Sequence, residues 1–126
     1  MRELTRAEEQ VMQILWDIKK GFVKEILEHF KDPKPAYNTV STIVRILQEK
    51  GFVDHKAYGR THEYYPIVSR DDYKKYHMTS FVKNYFSNSF ENMLSFFANE
   101  KTMSVNEMED IMKMMEEEIA KKKSNN

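Results

Sequence analysis

The sequence predicts a mainly α-helical protein with one small β-hairpin. Apolar residues recur at helical spacing in six segments, and three of these segments begin with a capping-box pattern. One further stretch carries β-branched and aromatic residues on both sides of a glycine, which is typical of a hairpin. The 126 residues suffice for one ordinary domain, or for a small domain with an appendage.

Three helices are expected before the hairpin. Residues 5–8 (TRAE) fit a capping box, so the first helix is expected from about Thr5 to Lys19. A short second helix is expected over Phe22–Phe30, and the prolines within residues 31–35 then require a turn. The third helix is expected from about Ala36 to Lys50.

The third helix has two chemically different faces, and Gly51 is expected to end it. Its apolar stripe has the spacing i, i+3, i+4, i+7 and consists of Val40, Ile43, Val44 and Leu47. The opposite face carries short hydrogen-bonding side chains and one guanidinium group, on Asn38, Ser41, Thr42 and Arg45. Such groups suit base edges and phosphate oxygens better than they suit an ordinary solvated face.

A β-hairpin is expected directly after the third helix, with strands at residues 52–57 and 62–67 and a turn at residues 58–61. Three short helices followed by a two-stranded ribbon describe a winged helix-turn-helix. In such a domain the recognition helix enters the major groove of DNA. The wing, with Arg60 near its tip, is expected to reach the DNA backbone or minor groove. We therefore predict a DNA-binding domain over residues 1–68.

The second half, residues 69–126, is predicted to be a helical dimerisation region. Capping patterns at Ser69 and Ser104 open two helices, and a short helix is expected between them over Phe90–Ala98. The last helix carries apolar residues in alternating steps of three and four, namely Val105, Met108, Met112, Met115 and Ile119. A polar tail is expected over residues 121–126. These helices are too few to enclose a core, which favours a twofold dimer.

Composition excludes several function classes. A chain without cysteine has no disulfide, thiolate metal site or cysteine nucleophile. The four histidines lack metal-ligand spacing, and the sequence has no catalytic set or phosphate-binding loop, so we expect no enzyme activity, metal or cofactor. No segment has the length and apolarity needed for membrane insertion or export, so a cytoplasmic protein is expected. Because the net charge is +0, any basic surface must arise from local placement.

Two functions of different classes remain open on the residues alone. The first is a homodimeric repressor in which each recognition helix reads half of a palindromic operator. The second is a winged-helix protein-interaction module with no DNA target, whose aromatic-rich second half is the binding surface. The neutral net charge favours this alternative. The methionine-rich last helix fits either a dimer core or a promiscuous partner site.

Four stretches resemble the BlaI/MecI family of penicillinase and methicillin-resistance repressors. They are LTRAEEQVMQILW in the first helix, YNTVSTIVRILQEKGFV in the third, GRTHEYYPIVS in the wing, and LSFFANEKTMSVNEMEDI in the second half. The stretches occur in the family's order, and the resemblance extends over nearly the whole chain.

The resemblance implies a winged-helix repressor with a C-terminal helical dimerisation region. It implies binding to palindromic, double-stranded operator DNA upstream of resistance genes. By position, it implies DNA contacts from Asn38, Thr39, Ser41, Thr42, Arg45 and the wing residue Arg60. It also implies a membrane sensor-protease as partner, which inactivates the repressor by cutting its C-terminal region.

The chain departs from the family pattern in three respects. Arg45 lies one position earlier than the arginine usual in the family, which changes the base step it can meet. The family's scissile bond joins Asn and Phe, whereas the aligned pair here is Ser95 and Phe96. A copper-sensing branch of the family uses a C-terminal cysteine motif, and a chain without cysteine cannot work in that way.

Overall fold

The computed structural model describes residues 1–125, and the chain divides into two compact units. The first unit comprises residues 1–78 and the second comprises residues 79–126. The assignment of DNA binding to residues 1–68 and of dimerisation to residues 69–126 concerns function and stays a prediction.

The first unit is a winged helix-turn-helix, with its three helices and its hairpin in the predicted order and one additional short strand. The elements are α1 (Arg6–Ile18), β1 (Gly21–Phe22), α2 (Val23–Glu28), α3 (Tyr37–Glu49), β2 (Val53–Tyr58) and β3 (Thr61–Pro66). A further helix, α4 (Arg70–Tyr85), begins in this unit. The predicted fold class, mainly α-helical with a wing, is confirmed.

The short strand β1 turns the expected two-stranded wing into a three-stranded antiparallel sheet with the order β1-β3-β2. In β1, Gly21 pairs with Tyr64 and Phe22 pairs with Glu63. The prediction that Phe22 begins the second helix is wrong, because two residues are too few to show the period of a strand in the sequence. Gly21 is buried, and a Cβ there would lie 2.9 Å from Cδ1 of Ile18. Glycine therefore permits the close approach.

The core of the first unit is formed by the inner faces of the helices and the base of the wing. Its buried members include Val11, Met12, Leu15, Val23, Ile26, Val40, Val44, Leu47, Phe52 and Val53. The predicted apolar stripe of α3 is confirmed, since Val40, Val44 and Leu47 are fully buried and Ile43 packs against them partly buried. Burial of one face fixes which residues α3 presents on the other.

The end of α3 is closed by a Schellman motif. Gly51 has a positive φ of 83°, which glycine adopts without steric cost. The Phe52 N–H donates to the Leu47 carbonyl at 2.9 Å, and the Gly51 N–H donates to the Gln48 carbonyl at 3.0 Å. Phe52 and Leu47 are both fully buried. The chain therefore leaves α3 in a defined direction and enters β2 at once.

A buried ion pair joins the two ends of the helical scaffold. Glu8 in the first turn of α1 accepts a hydrogen bond from Lys50 Nζ at 2.6 Å, and both side chains are at least about nine-tenths buried. Burial alone would raise the pKa of the Glu8 carboxyl, but the hydrogen bonds from Lys50 and Thr5 outweigh it and lower the pKa below 4.5. The predicted capping box of Thr5 and Glu8 is confirmed.

The first turns of α4 complete the first unit. Tyr73 is buried, with its ring centroid 5.6 Å from that of Phe52 and 6.1 Å from that of Trp16. Its hydroxyl accepts the Leu4 N–H at 3.0 Å and donates to Glu3 Oε2 at 3.2 Å. Burial raises the pKa of Tyr73 to about 12, so the hydroxyl stays protonated and able to donate.

The second unit contains the end of α4, α5 (Phe90–Asn99) and α6 (Val105–Ser124). Ser104 caps α6 with the predicted capping box. Residues 121–124 of the expected polar tail are polar but continue α6 to Ser124, so the prediction that the tail begins at Lys121 is wrong; three lysines in the last turn complement the helix dipole. Asn126 lies outside the described residues. Within residues 1–125, no helix is both long enough and apolar enough to cross a membrane.

We expect Lys50→Met to destabilise the first unit by roughly 3–5 kcal/mol at pH 7, because the buried Glu8 carboxylate loses its partner. The lowered pKa of Glu8 means that the pair's contribution is complete above pH 4.5 and is lost as the pH falls through the folded-state pKa. Urea unfolding should therefore show a smaller difference from the wild type at pH 4 than at pH 7.

The matched control is the double variant Glu8→Gln/Lys50→Met. It keeps a side chain that can complete the capping box and removes the unpaired charge, so it should recover part of the lost stability. Equal losses for Lys50→Met at both pH values, or no recovery in the double variant, would contradict this account of the pair.

Candidate nucleic-acid interface

A concave groove of about 790 Å³ lies between α3, the start of α2 and the wing. From α3 it is lined by Tyr37, Asn38, Ser41 and Arg45. From the wing it is lined by Arg60, Thr61, His62 and Tyr64. From α2 it is lined by Val23, Lys24 and Glu25, after Phe22 of β1. The groove thus brings together four of the six residues predicted from the sequence.

The outer face of α3 is accessible along its first two turns. Asn38, Thr42 and Arg45 are exposed, and Ser41 is half-buried. Arg45 Nη2 donates to Ser41 Oγ at 3.3 Å, which directs the guanidinium along the helix. The Thr42 hydroxyl donates to the Asn38 carbonyl at 2.9 Å, so its hydrogen is committed to its own helix.

Thr39 lies apart from the other predicted residues of α3. It is exposed, but it lines a second hollow of about 580 Å³ between α1, the α2–α3 connection and α3. The hollow is also lined by Gln10, Phe30 and Ile43. Residues 38 and 39 are adjacent in the sequence, and a rotation of about 100° per residue places them on different flanks of the helix.

The wing tip is a two-residue turn of Gly59 and Arg60 between β2 and β3. Gly59 has a positive φ of 62°, whereas Arg60 does not, which is the pattern of a type II′ turn. The Thr61 hydroxyl donates to the Tyr58 carbonyl at 2.9 Å and tightens the same turn. Arg60 is therefore held at the far end of a short, rigid hairpin, on the rim of the groove.

The groove has a local excess of positive charge on a chain whose formal net charge is +0. Lys24, Arg45 and Arg60 line it, against one carboxylate, that of Glu25. Glu25 Oε1 accepts the Phe22 N–H at 3.0 Å, so that oxygen is already hydrogen-bonded. Clustered cations on a concave wall attract a polyanion even when the whole chain is neutral.

The N-terminal end of α3 opens toward the same region. No side chain accepts a hydrogen bond at its N-cap, Ala36, and the first turn contains no acidic residue. The backbone N–H groups of a helix's first turn have no intrahelical partner and carry the positive end of its dipole. This end of α3 is therefore suited to an anion.

The floor of the groove contains residues that are not among the DNA contacts predicted from the sequence. Tyr64 is buried, and burial raises the pKa of its hydroxyl above 10. His62 is half-buried beside it. Lys24 is the third cation that lines the groove. The sequence does not indicate this position, because it depends on where β1 places the start of α2. The hairpin pattern did place His62 near the wing.

Within residues 1–125, histidine and carboxylate side chains form no cluster of three that could hold a metal ion. The fold and the groove together define a winged helix-turn-helix protein of the class that presents a recognition helix beside a basic wing. The chain belongs to the penicillinase repressor family, because the model of that family matches residues 4–117. The family predicted from the sequence is confirmed. The chain is thus a repressor of the BlaI/MecI type, in a family that is not enzymatic.

Curated relatives match over almost their entire length. The methicillin resistance regulatory protein MecI of Staphylococcus aureus (strain N315) is 27% identical over 114 residues, which covers 90% of this chain and 93% of the relative. The penicillinase repressor of Bacillus licheniformis is 24% identical over 122 residues, which covers 96% of this chain and 95% of the relative.

A solved structure matches more than half of the chain. It is the solution structure of the DNA-binding domain of the repressor BlaI, with a TM-score of 0.50 and 25% sequence identity. The match covers 58% of this chain and 94% of that chain. The winged-helix fold is therefore similar to that of a known DNA-binding domain.

Proposed function

We propose that this chain is a cytoplasmic, homodimeric repressor that binds a palindromic operator in double-stranded DNA and controls antibiotic-resistance-type genes. The observation that carries the proposal is the basic groove in which the outer face of α3 meets the tip of the wing. The names of the relatives, a methicillin resistance regulator and a penicillinase repressor, support the class of regulated gene.

In this proposal α3 enters the major groove with its N-terminal half against the bases. Asn38 pairs with the edge of an adenine and Arg45 with a guanine, because their side chains match those donor and acceptor patterns. The Thr42 hydroxyl hydrogen is committed to the helix, so Thr42 offers its methyl group to a thymine. Ser41 and Thr39 contact phosphates on the two flanks and set the register.

The wing and the helix ends supply contacts that do not depend on sequence. Arg60 at the turn reaches the DNA backbone or the minor groove, and Lys24 contacts a phosphate across the groove from α3. The uncapped start of α3 offers N–H groups to another phosphate. Each neutralised phosphate releases counterions, so affinity should fall steeply with salt concentration.

Exposed apolar side chains in the second unit support a homodimer, because the unit is too small to bury them. Along α6, Val105, Met112 and Ile119 are between 48% and 69% exposed. No residue of α5 or α6 is buried. These side chains form a seam along α6, and a second copy of the chain, related by a twofold axis, would cover it. The two α3 helices would then read symmetric half-sites spaced by whole turns of DNA.

Arg45→Ala should weaken binding to DNA from upstream of the protein's own gene by about 1–3 kcal/mol, roughly 5- to 150-fold, because a base contact is lost. Arg60→Ala should weaken binding to specific and unrelated duplexes alike and should reduce the slope of log affinity against log salt by about 1. Fluorescence anisotropy at several salt concentrations measures both quantities.

Lys74→Ala is the matched control, because it removes one exposed cation of α4 that does not line the groove. It should leave the affinity close to that of the wild type. Unchanged affinity in Arg45→Ala, or an equal loss in Lys74→Ala, would show that the groove is not the DNA-binding surface.

Met112→Glu should convert the dimer into a monomer, because it buries a charge in the seam. Light scattering after size exclusion should give about 15 kDa in place of about 30 kDa, twice the 15.1 kDa of the chain. Met114→Glu is the matched control, since Met114 is similarly exposed but lies two residues away, on the opposite side of α6. A wild-type monomer would favour the alternative, a winged-helix interaction module without a DNA target.

We further propose that a membrane sensor-protease relieves repression by cutting between Ser95 and Phe96. Both residues are exposed, and α5 has only ten residues, which is too short to be stable without packing. Local opening of α5 would expose the bond. The cut would separate α6 and its exposed seam from the DNA-binding unit. Without this surface the two chains would separate, and they would no longer bind the two half-sites together.

Co-expression with a candidate sensor-protease, followed by mass spectrometry of the intact protein, tests this step. Under inducing conditions we expect fragments that end at Ser95 and begin at Phe96, and their absence from Phe96→Asp. A chain that stays intact while the regulated genes are expressed would rule out proteolysis as the mode of induction.

A further inference from the structure

Two histidines of the wing form a stacked pair that the proposed DNA contacts do not use. The rings of His55 in β2 and His62 in β3 have centroids 4.0 Å apart and planes inclined by 9°. Both rings lie near Tyr64, at 5.6 Å and 6.2 Å between centroids. In the register of the hairpin, His55 pairs with Tyr64 and His62 pairs with Ala57, so the histidines are diagonal neighbours on one face.

The two rings have different surroundings. His55 Nδ1 lies 2.8 Å from Gln48 Oε1, within hydrogen-bonding distance, and this contact ties β2 to α3. Asp54 Oδ1 lies 3.9 Å from the same nitrogen. His62, in contrast, lines the groove itself. His55 is therefore the anchored ring and His62 is the ring that a ligand in the groove can reach.

Charged groups of both signs line the same groove as His62. The cations are Arg45 of α3, Lys24 of α2 and Arg60 of the wing tip, and the carboxylate is that of Glu25. The phenols of Tyr37 and Tyr64 line the same groove. DNA phosphate would add negative charge in the groove that His62 lines, and negative charge favours the protonated form of an imidazole.

We propose that His62 is a further DNA-backbone contact and that it takes up a proton when DNA phosphate occupies the groove, with His55 as the positioning residue that holds it there. The proposal rests on the proposed function. Imidazole gains its charge between pH 5 and pH 8, so proton uptake would fall within the physiological range. Charged His62 donates from both nitrogens and forms a charge-assisted hydrogen bond with the phosphate.

The coupling predicts that affinity for DNA rises as the pH falls. One linked proton gives at most a tenfold gain per pH unit. We expect about a three- to tenfold gain between pH 7.5 and pH 6.0 for the full chain and a mixed-sequence duplex of about 24 base pairs at fixed ionic strength. Calorimetry in two buffers of different ionisation enthalpy counts the protons taken up, which should be a substantial fraction of one per chain at pH 6.5.

His62→Gln keeps a polar side chain but cannot titrate, so it should bind with little pH dependence and take up no protons. His77→Gln is the control, because it is the same substitution at a histidine that lies 3.0 Å from Glu3 Oε2 and does not line the groove. It should behave as the wild type does. Circular dichroism confirms that each variant is folded.

The outcomes separate this inference from the function on which it rests. A wild-type chain that binds the duplex without proton uptake overturns the inference and leaves DNA binding intact. Proton uptake that persists in folded His62→Gln also overturns it. A wild-type chain that binds neither this duplex nor the upstream DNA at any pH between 6.0 and 7.5 overturns both.

Discussion

Everything at the interface depends on the complete burial of one stripe of α3. Val40, Val44 and Leu47 have no exposed surface, so the helix cannot rotate without exposing them to water. The Schellman motif at Gly51 and the ion pair of Glu8 with Lys50 then fix the end of the same helix. The outer face is thereby held in one orientation, and the residues on it owe their positions to the buried side chains of the opposite face.

The wing is connected to α3 by packing and by a side-chain contact, in addition to following it in the chain. Phe52 is fully buried directly after the helix, and Gln48 of α3 lies within hydrogen-bonding distance of His55 in β2. The strand β1 adds a second ladder of hydrogen bonds to the hairpin and brings the start of α2, with Lys24, to the same groove. A rigid frame of this kind would reduce the ordering cost of binding, since the proposed contacts are positioned before DNA arrives.

The helices, the hairpin, the family and the two faces of α3 could be predicted from the sequence, because these follow from the local spacing of apolar residues and from capping patterns. It could not predict β1, whose two residues are defined only by their pairing with Tyr64 and Glu63. Nor could it predict that Lys50 meets Glu8 across 42 positions, or that Thr39 lines a different hollow from Asn38. Those facts depend on tertiary packing, and the six DNA contacts themselves stay a prediction.

The central claim is that two copies of one groove read a symmetric site. Footprinting of the protein across its own genome tests it most directly. The account predicts protected inverted repeats whose half-site centres are one or more turns of DNA apart, about 10–10.5 base pairs per turn, near resistance-type genes. Protection without inverted symmetry, or no protected site at all, would contradict it.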